Sequence, residues 1–321
     1  MTKVAIIRRN GLGDLLCAYP LILYFRKYFP KTELTLFADE RNAPLLPYLP
    51  PLDETVIFPG KGNKYVHVVQ TALAYRRRGF DMAISAKSSP MKLVNIFLYT
   101  LGAKQRVAYV GKGWHSHLIN RPIPFEEKSS KRTHQAVKNL QTVEPSYQEV
   151  PEELFPRLIM PPNLPQPSIP LEGPILLLSA TTTRPTSRFD PFRYAEVVNR
   201  LYEEIPFNVL IIGQKKDEPR ARAIQEALRV PHLLYFPRSF EEFMVLMKMS
   251  DFYFVGDGGI AHIGAAMDKP QVVLFGETNP KEWAPMSRKA VTFYDPIHVN
   301  RLSDQKLQNA LLEMMCERDN L

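Results

Sequence analysis

The sequence predicts an α/β protein of two domains, each with a parallel sheet that helices cover on both faces. Short strands alternate with helical patterns in both halves of the chain, and these strands are apolar along their whole length. Seven prolines between residues 156 and 174 indicate a stiff linker, because proline fixes φ and removes a hydrogen-bond donor. A chain of 321 residues is also long for a single core.

In the first half, five apolar runs predict strands at 3–8, 34–38, 55–59, 82–86 and 106–111. Two helices are predicted between them. One covers 15–29, with Pro20 in its early turns, where proline costs less than in a helix interior. The other covers 65–79 and ends in a glycine after several arginines, which is typical of a helix C-terminus.

The second half repeats this alternation. Strands are predicted at 175–180, 207–213, 251–256 and 270–276, and helices at 191–204, 218–229, 239–250 and 303–317. This alternation predicts two Rossmann-like domains with a cleft between them. Ligands of such sheets bind beyond the carboxyl ends of the strands. The predicted boundaries are 1–160 for the first domain, 161–174 for the linker, 175–300 for the second domain and 301–321 for the C-terminal helix.

Composition excludes some classes of protein. No apolar run approaches the roughly 18 residues of a membrane span, and the N-terminal run VAII is too short for a secretion signal. Cys17 and Cys316 lie far apart and form no metal or redox motif. A reduced, cytoplasmic protein is therefore expected.

The charge is unevenly placed along the chain. Residues 1–165 carry 23 Lys and Arg against 13 Asp and Glu, a net +10, whereas residues 166–321 carry 18 against 20, a net −2. This asymmetry favours an anionic partner for the first half, which could be nucleic acid, anionic lipid or a phosphorylated substrate. The alternative is a basic surface that only keeps the protein soluble.

The loop RRNGLGDLLCAYP, residues 8–20, follows the first predicted strand. Its glycines permit a tight turn and place Asp14 at a helix start, where it could cap the helix or act as a general base. A dinucleotide fingerprint, with Asp39 as the ribose acid, is disfavoured because the third glycine of G-x-G-x-x-G is Leu16 here.

Three loops of the second half offer groups that bind anions. The loop SATTTRPTSRFDP (179–191) combines hydroxyls with two arginines, although it could simply cap its own helix. Glu218 could accept from ribose hydroxyls or favour the helix dipole. Gly258 and Gly259 leave backbone amides free at a helix start. Asp257 could cap that helix or orient a neighbouring group, and His262 could bind a phosphate or a buried carbonyl. Together these loops indicate a bound nucleotide or nucleotide-sugar diphosphate.

The sequence resembles the lipopolysaccharide heptosyltransferases, glycosyltransferase family 9. The motifs that carry the resemblance are R-x-x-G-L-G-D-L-L-x-x-Y-P at 8–20, G-D-G-G-I-A-H-I-G-A-A at 256–266 and K-P-x-V-x-L-F-G-x-T-x-P-K-x-W-x-P at 269–285. The resemblance implies a GT-B fold, two Rossmann-like domains whose parallel sheets face each other across a cleft. It also implies a donor bound to the second domain and a final helix that packs back towards the first.

The resemblance further implies roles for single residues. Asp14 matches the proposed catalytic base. The donor-binding positions match Thr182, Thr183, Glu218, Asp257, Gly258, Gly259 and His262. Where the family often has K-x-W-P, this chain has Ser187, Arg188, Phe189 and Asp190, and Arg188 is expected to supply the cation. Gly258 stands where the family usually has a hydroxyl residue.

The anion-binding loops and Asp14 predict an inverting, metal-independent sugar transferase without a cofactor. The resemblance implies that it moves heptose from ADP-heptose to a lipopolysaccharide core acceptor. Gly13, Lys128, Lys131 and Arg132 are the predicted acceptor-binding residues. The acceptor is expected to be an anionic glycolipid, which places the protein in the cytoplasm, with peripheral contact at the inner membrane. The alternative is a non-catalytic nucleotide-sugar binding protein. Nucleic acid is not an expected partner, because no nucleic-acid-binding motif is apparent.

Overall fold

The computed structural model describes residues 2–50, 52–181 and 184–318, which form two compact units divided after Ile159. The division falls inside the proline-rich segment 156–174, which contains neither helix nor strand. This is the expected result for a run of residues with fixed φ and few free amides. No helix in the described ranges has the length and apolarity that crossing a membrane requires.

The first unit is built on a six-stranded parallel sheet in the order β3-β2-β1-β4-β5-β6. Its strands are β1 Lys3–Arg8, β2 Glu33–Asp39, β3 Glu54–Phe58, β4 Met82–Ser85, β5 Gln105–Val110 and β6 Arg121–Pro124. Its helices are α1 Leu12–Tyr28, α2 Lys64–Arg76, α3 Lys92–Leu101, α4 Glu127–Ser130 and α5 Gln135–Leu140.

The second unit repeats the same plan in the order β12-β11-β10-β7-β8-β9. Its strands are β7 Ile175–Ser179, β8 Asn208–Ile212, β9 His232–Tyr235, β10 Phe252–Gly256, β11 Gln271–Phe275 and β12 Ala290–Tyr294. Its helices are α6 Pro191–Glu204, α7 Glu218–Ala227, α8 Phe240–Met249, α9 Gly259–Ala266, α10 Pro280–Trp283 and α11 Asp304–Arg318. Every residue of β7, β10 and β11 is buried, as the apolar runs predicted.

Helix α1 begins earlier than the sequence predicted. It starts at Leu12, with Gly11 in an extended conformation before it, so Asp14 lies in the first turn. Pro20 consequently falls in the middle of the helix and not in its early turns, which corrects the prediction. Pro20 is buried there among apolar neighbours.

Helix α11 packs within the second unit, against α6 and β11. Leu307, Leu311 and Met315 are buried and belong to the same apolar core as Leu176 and Phe254 of the sheet. Packing of this helix towards the first domain, which the resemblance implies, stays a prediction.

Candidate active site

Each sheet has a point where the strand order reverses, and the loops around that point are where ligands of such sheets bind. In the first unit this point lies between β1 and β4, which are paired neighbours. In the second unit it lies between β7 and β10, which are also paired. Asp14 follows β1, and Asp257 follows β10. Two of the predicted site residues thus lie at these reversal points.

Asp14 is held on both oxygens by groups of its own loop. The Gly11 amide donates to Asp14 Oδ2 at 3.2 Å, and the Arg8 guanidinium donates to Asp14 Oδ1. The Asp14 side chain is 23% exposed, so its carboxylate keeps access to a ligand. The sequence left a helix cap and a general base as alternatives for Asp14. The structure shows its carboxylate accepting from the Gly11 amide while remaining partly exposed, so the contact does not exclude a general base.

Arg8 is the residue that fixes Asp14. It opens the motif at residues 8–20, but no role of its own was assigned to it from the sequence. It is 1% exposed, and its second terminal nitrogen donates to the Ala86 carbonyl just beyond β4. Burial lowers the pKa of Arg8, and the Asp14 carboxylate opposes that shift. The arginine thus connects the ends of β1 and β4. Arginine is rarely buried, so only the structure identifies this role.

A polar cavity of about 650 Å³ lies beyond the ends of β1, β2 and β3. Arg9, Arg41 and Lys64 line it together with Asp39 and Glu40. Arg9 Nε lies 2.9 Å from Asp39 Oδ1, and Arg41 Nη2 lies 3.5 Å from Asp39 Oδ2. The Asp39 carboxylate therefore forms ion pairs with both arginines.

In the second unit, Arg184 connects the loops after β7, β10 and β11. Its Nη1 lies 2.8 Å from Asp257 Oδ2, and its Nε lies 3.4 Å from Glu277 Oε1. Burial raises the pKa of Asp257, while hydrogen bonds from Thr278 and Arg184 oppose that shift. The Arg184 side chain stays 41% exposed. A partly exposed cation thus lies beside the predicted donor-binding helix start.

The close packing of two loops depends on Gly276. A Cβ at this position would lie 2.6 Å from the Thr186 carbonyl oxygen and 2.7 Å from Ser187 Oγ. The Thr186 hydroxyl lies 3.3 Å from both the Glu277 amide nitrogen and Glu277 Oε2. Glycine at 276 therefore lets the Arg184 loop lie directly on the loop after β11.

We expect Gly276→Ala to lower the free energy of unfolding by about 1–3 kcal/mol, the usual cost of overpacking. The new methyl group would push the Arg184 loop away from Glu277. Denaturant unfolding measures this change. Gly213→Ala is the matched control, because Gly213 also follows a strand but its added Cβ would meet neighbours only at 3.5 Å or more. Equal stability of the two variants would contradict the prediction.

The predicted helix start forms as expected in the local structure. Gly258 precedes α9, Gly259 is its first residue, and His262 is buried in the same short helix. Asp257 does not cap α9 through a side-chain hydrogen bond, since its carboxylate faces Arg184 and Thr278. The sequence-based capping alternative for Asp257 is therefore wrong, and its orienting role towards a neighbour is the one observed.

Other predicted donor residues lie in different surroundings. Arg188 is exposed at the end of the turn Pro185–Ser187. Burial lowers the pKa of the Arg220 guanidinium, and the nearby charge of Arg188 lowers it further. Glu218 is the first residue of α7, and hydrogen bonds from Lys215 and Arg222 lower its pKa. Thr182 and Thr183 lie outside the described residues.

The predicted acceptor residues fall into two places. Gly13 lies in the first turn of α1, next to Asp14. Lys128 lies in α4, and Lys131 and Arg132 follow it; all three are exposed. Lys131 Nζ lies 2.9 Å from Glu127 Oε1, which offsets part of the positive charge.

Comparison with known proteins decides the family. The model of glycosyltransferase family 9 (heptosyltransferase) matches residues 72–314. The chain belongs to glycosyltransferase family 9. It is a glycosyltransferase with the GT-B fold, as the sequence motifs predicted. Asp14 lies before the matched range, so its role rests on the motif at residues 8–20.

Two of the similar relatives are named as heptosyltransferases. Lipooligosaccharide heptosyltransferase 2 of Haemophilus influenzae is 24% identical, with 90% of this chain and 87% of the relative aligned. Lipopolysaccharide heptosyltransferase 2 of Escherichia coli is 22% identical over 90% of this chain and 86% of the relative.

Solved structures agree in fold. A family 9 glycosyltransferase of Veillonella parvula superposes with a TM-score of 0.82 at 15% identity, covering 98% of this chain and 97% of the other. ADP-heptose lipopolysaccharide heptosyltransferase II of Escherichia coli gives 0.78 at 17% identity, covering 99% and 100%. At these identities the likeness concerns the fold alone.

Proposed function

We propose that this family 9 glycosyltransferase transfers heptose from ADP-heptose to a lipopolysaccharide core acceptor, with inversion and without a metal ion. The observation that carries the proposal is the Asp14 carboxylate, held by Arg8 and Gly11 at the reversal point of the first sheet and still accessible. The names of the relatives supply the sugar and the acceptor class.

In the proposed reaction, an acceptor hydroxyl oxygen attacks the anomeric carbon of the donor from the face opposite the diphosphate. The bond between that carbon and the diphosphate oxygen breaks, and the diphosphate leaves with the electron pair. Asp14 takes the proton of the attacking hydroxyl. General base catalysis of this kind contributes about 10²–10⁴-fold to the rate.

The departing diphosphate needs positive charge and hydrogen-bond donors where its own charge develops. Arg184 is the proposed principal cation, because it is partly exposed beside the start of α9, whereas Arg188 lies near Arg220. The amides of Gly258 and Gly259 are proposed donors to the same group. His262, Thr182 and Thr183 are assigned to the diphosphate and Glu218 to the ribose, by their match to the family motifs.

The acceptor is proposed to be an anionic glycolipid, bound by the first unit at the cytoplasmic face of the inner membrane. The net +10 of residues 1–165 supports this assignment. We expect joint replacement of Lys128, Lys131 and Arg132 by glutamine to raise KM for the acceptor several-fold and to leave the affinity for ADP unchanged. The reason is that exposed charges mainly raise the association rate of a ligand of opposite charge. Steady-state kinetics with varied acceptor measures this effect, and an unchanged KM would contradict it.

The proposed function is tested by incubating the protein with ADP-heptose and a heptose-deficient core oligosaccharide. The mass of the product is then measured by mass spectrometry. A mass increase of one heptose and release of ADP are expected. UDP-, GDP- and ADP-linked hexoses run in parallel identify a different donor. The second candidate, a non-catalytic nucleotide-sugar binding protein, is favoured by the buried Ser187 at the family's lysine position. ADP binding without any transfer would establish it.

A further inference from the structure

Lys87 lies at the reversal point of the first sheet, on the opposite side from Asp14. It comes two residues after the end of β4, which pairs with β1 through Ile7 and Ser85. The Ala86 amide donates to the Ile7 carbonyl at 3.0 Å, and the Ala86 carbonyl accepts from Arg8. The backbone that carries Lys87 is thus tied to the arginine that holds Asp14.

The segment after Lys87 is also anchored. Ser88 is buried, and its hydroxyl donates to the Gln135 side chain of α5. The Lys87 amide lies 3.3 Å from Ser85 Oγ. Lys87 therefore projects from a backbone that is fixed on both sides, which favours a defined position for its ammonium group.

The charge of Lys87 is unpaired within the part of the chain that the structure describes. Its side chain is half-buried, yet its ammonium group has no hydrogen bond or ion pair there. Burial, together with the charge of Arg8, lowers the pKa of Lys87, and Asp14 opposes the shift. By contrast, Arg8 and Arg9 each have a carboxylate partner.

A partly buried cation without a direct ion-pair or hydrogen-bond partner costs free energy, and an anionic ligand in contact with it would offset that cost. Ligands of parallel sheets bind at the reversal point, between the loops that carry Asp14 and Lys87. We propose that Lys87 binds an anionic oxygen group of the acceptor, phosphate or carboxylate, next to the hydroxyl that Asp14 deprotonates. This inference rests on the proposed function for the identity of the acceptor.

The experiment measures acceptor binding by calorimetry without donor, so that no transfer is needed. The probe is a deacylated, phosphorylated core oligosaccharide, used intact, after phosphatase treatment, or after reduction of its carboxyl groups. The variants are Lys87→Met, which removes the charge, and Lys87→Arg, which keeps it. Lys31→Met is the matched control, because Lys31 is exposed before β2, at the other end of the sheet.

We expect Lys87→Met to raise the Kd for the intact probe about 10- to 100-fold, the range of a hydrogen bond to a charged group. Lys87→Arg should retain most of the affinity, and Lys31→Met should match the wild type. One of the two treated probes, the phosphatase-treated or the carboxyl-reduced one, lacks the group that Lys87 recognises. The wild type should bind that probe as weakly as Lys87→Met binds the intact probe. The wild type and Lys87→Met should bind that probe with equal Kd. That coupling identifies phosphate or carboxylate as the group.

The proposal is overturned if Lys87→Met binds the intact probe as tightly as the wild type. It is also overturned if Lys87→Met raises the Kd by the same factor for the intact probe and for both treated probes. It is also overturned if the wild type does not bind the probe. If the wild type binds the probe through Lys87 but transfers no sugar, the proposed function fails and this inference stands.

Discussion

Asp14→Asn is expected to lower kcat by about 10²–10⁴-fold, the usual contribution of a general base. Asparagine keeps the size of the side chain and one oxygen for Arg8, but its amide cannot take the proton of the acceptor hydroxyl. The affinity for ADP should therefore survive, whereas the free energy of unfolding should fall, because the buried Arg8 loses its carboxylate partner. Single-turnover transfer assays measure the rate, and calorimetry measures ADP binding.

Asp53→Asn is the matched control for this prediction. Asp53 is also an aspartate paired with an arginine, since Arg26 Nη2 lies 2.9 Å from Asp53 Oδ2, but it precedes β3 at the other end of the sheet. This variant should transfer sugar at the wild-type rate. If Asp14→Asn and Asp53→Asn had equal rates, Asp14 would be a helix cap without a catalytic role.

Arg184→Ala is expected to raise the Kd for ADP about 10- to 100-fold, because a charge-assisted contact to the diphosphate is lost. The loss also leaves Asp257 and Glu277 without their shared cation, and their negative charge would then repel the ligand. Calorimetric titration at fixed ionic strength measures the change, because such contacts are sensitive to salt.

Arg188→Ala is the control that separates the two arginines of this loop. We expect less than a threefold change for it, since Arg188 is exposed near the positive charge of Arg220. Arg184→Lys should recover part of the affinity, because the charge remains while the second contact is lost. The reverse ranking, a large loss only in Arg188→Ala, would return the role to the residue that the sequence favoured.

The central elements of the fold were predictable because they are buried on both faces. The predicted bounds of β1 and α6 agree with the structure, and Asp190 caps α6 by accepting from the Phe192 and Arg193 amides. The edge strands β6, β9 and β12 and the helices α3, α4, α5 and α10 were not predicted from the sequence. Strand β6 reads Arg-Pro-Ile-Pro, and prolines are tolerated there because an edge strand need not donate from every residue.

The candidate site was predictable only where a motif is local. Asp14 and the start of α9 stand out because glycines surround them in sequence. The pair Arg184 and Asp257 is separated by 73 residues, and no local pattern reports such a contact. The burial of Arg8 and the unpaired charge of Lys87 depend likewise on strand pairing, which the sequence alone does not specify.

The two carboxylates that hold Arg184 have a consequence for turnover. In the proposed complex the diphosphate must replace Asp257 and Glu277 as the ion-pair partner of Arg184. These two carboxylates therefore compete with the nucleotide for the guanidinium group. Such competition weakens the affinity for the spent nucleotide and speeds its departure after each transfer. The donor carries the same diphosphate and meets the same competition, so this arrangement favours rapid exchange of the nucleotide over tight binding.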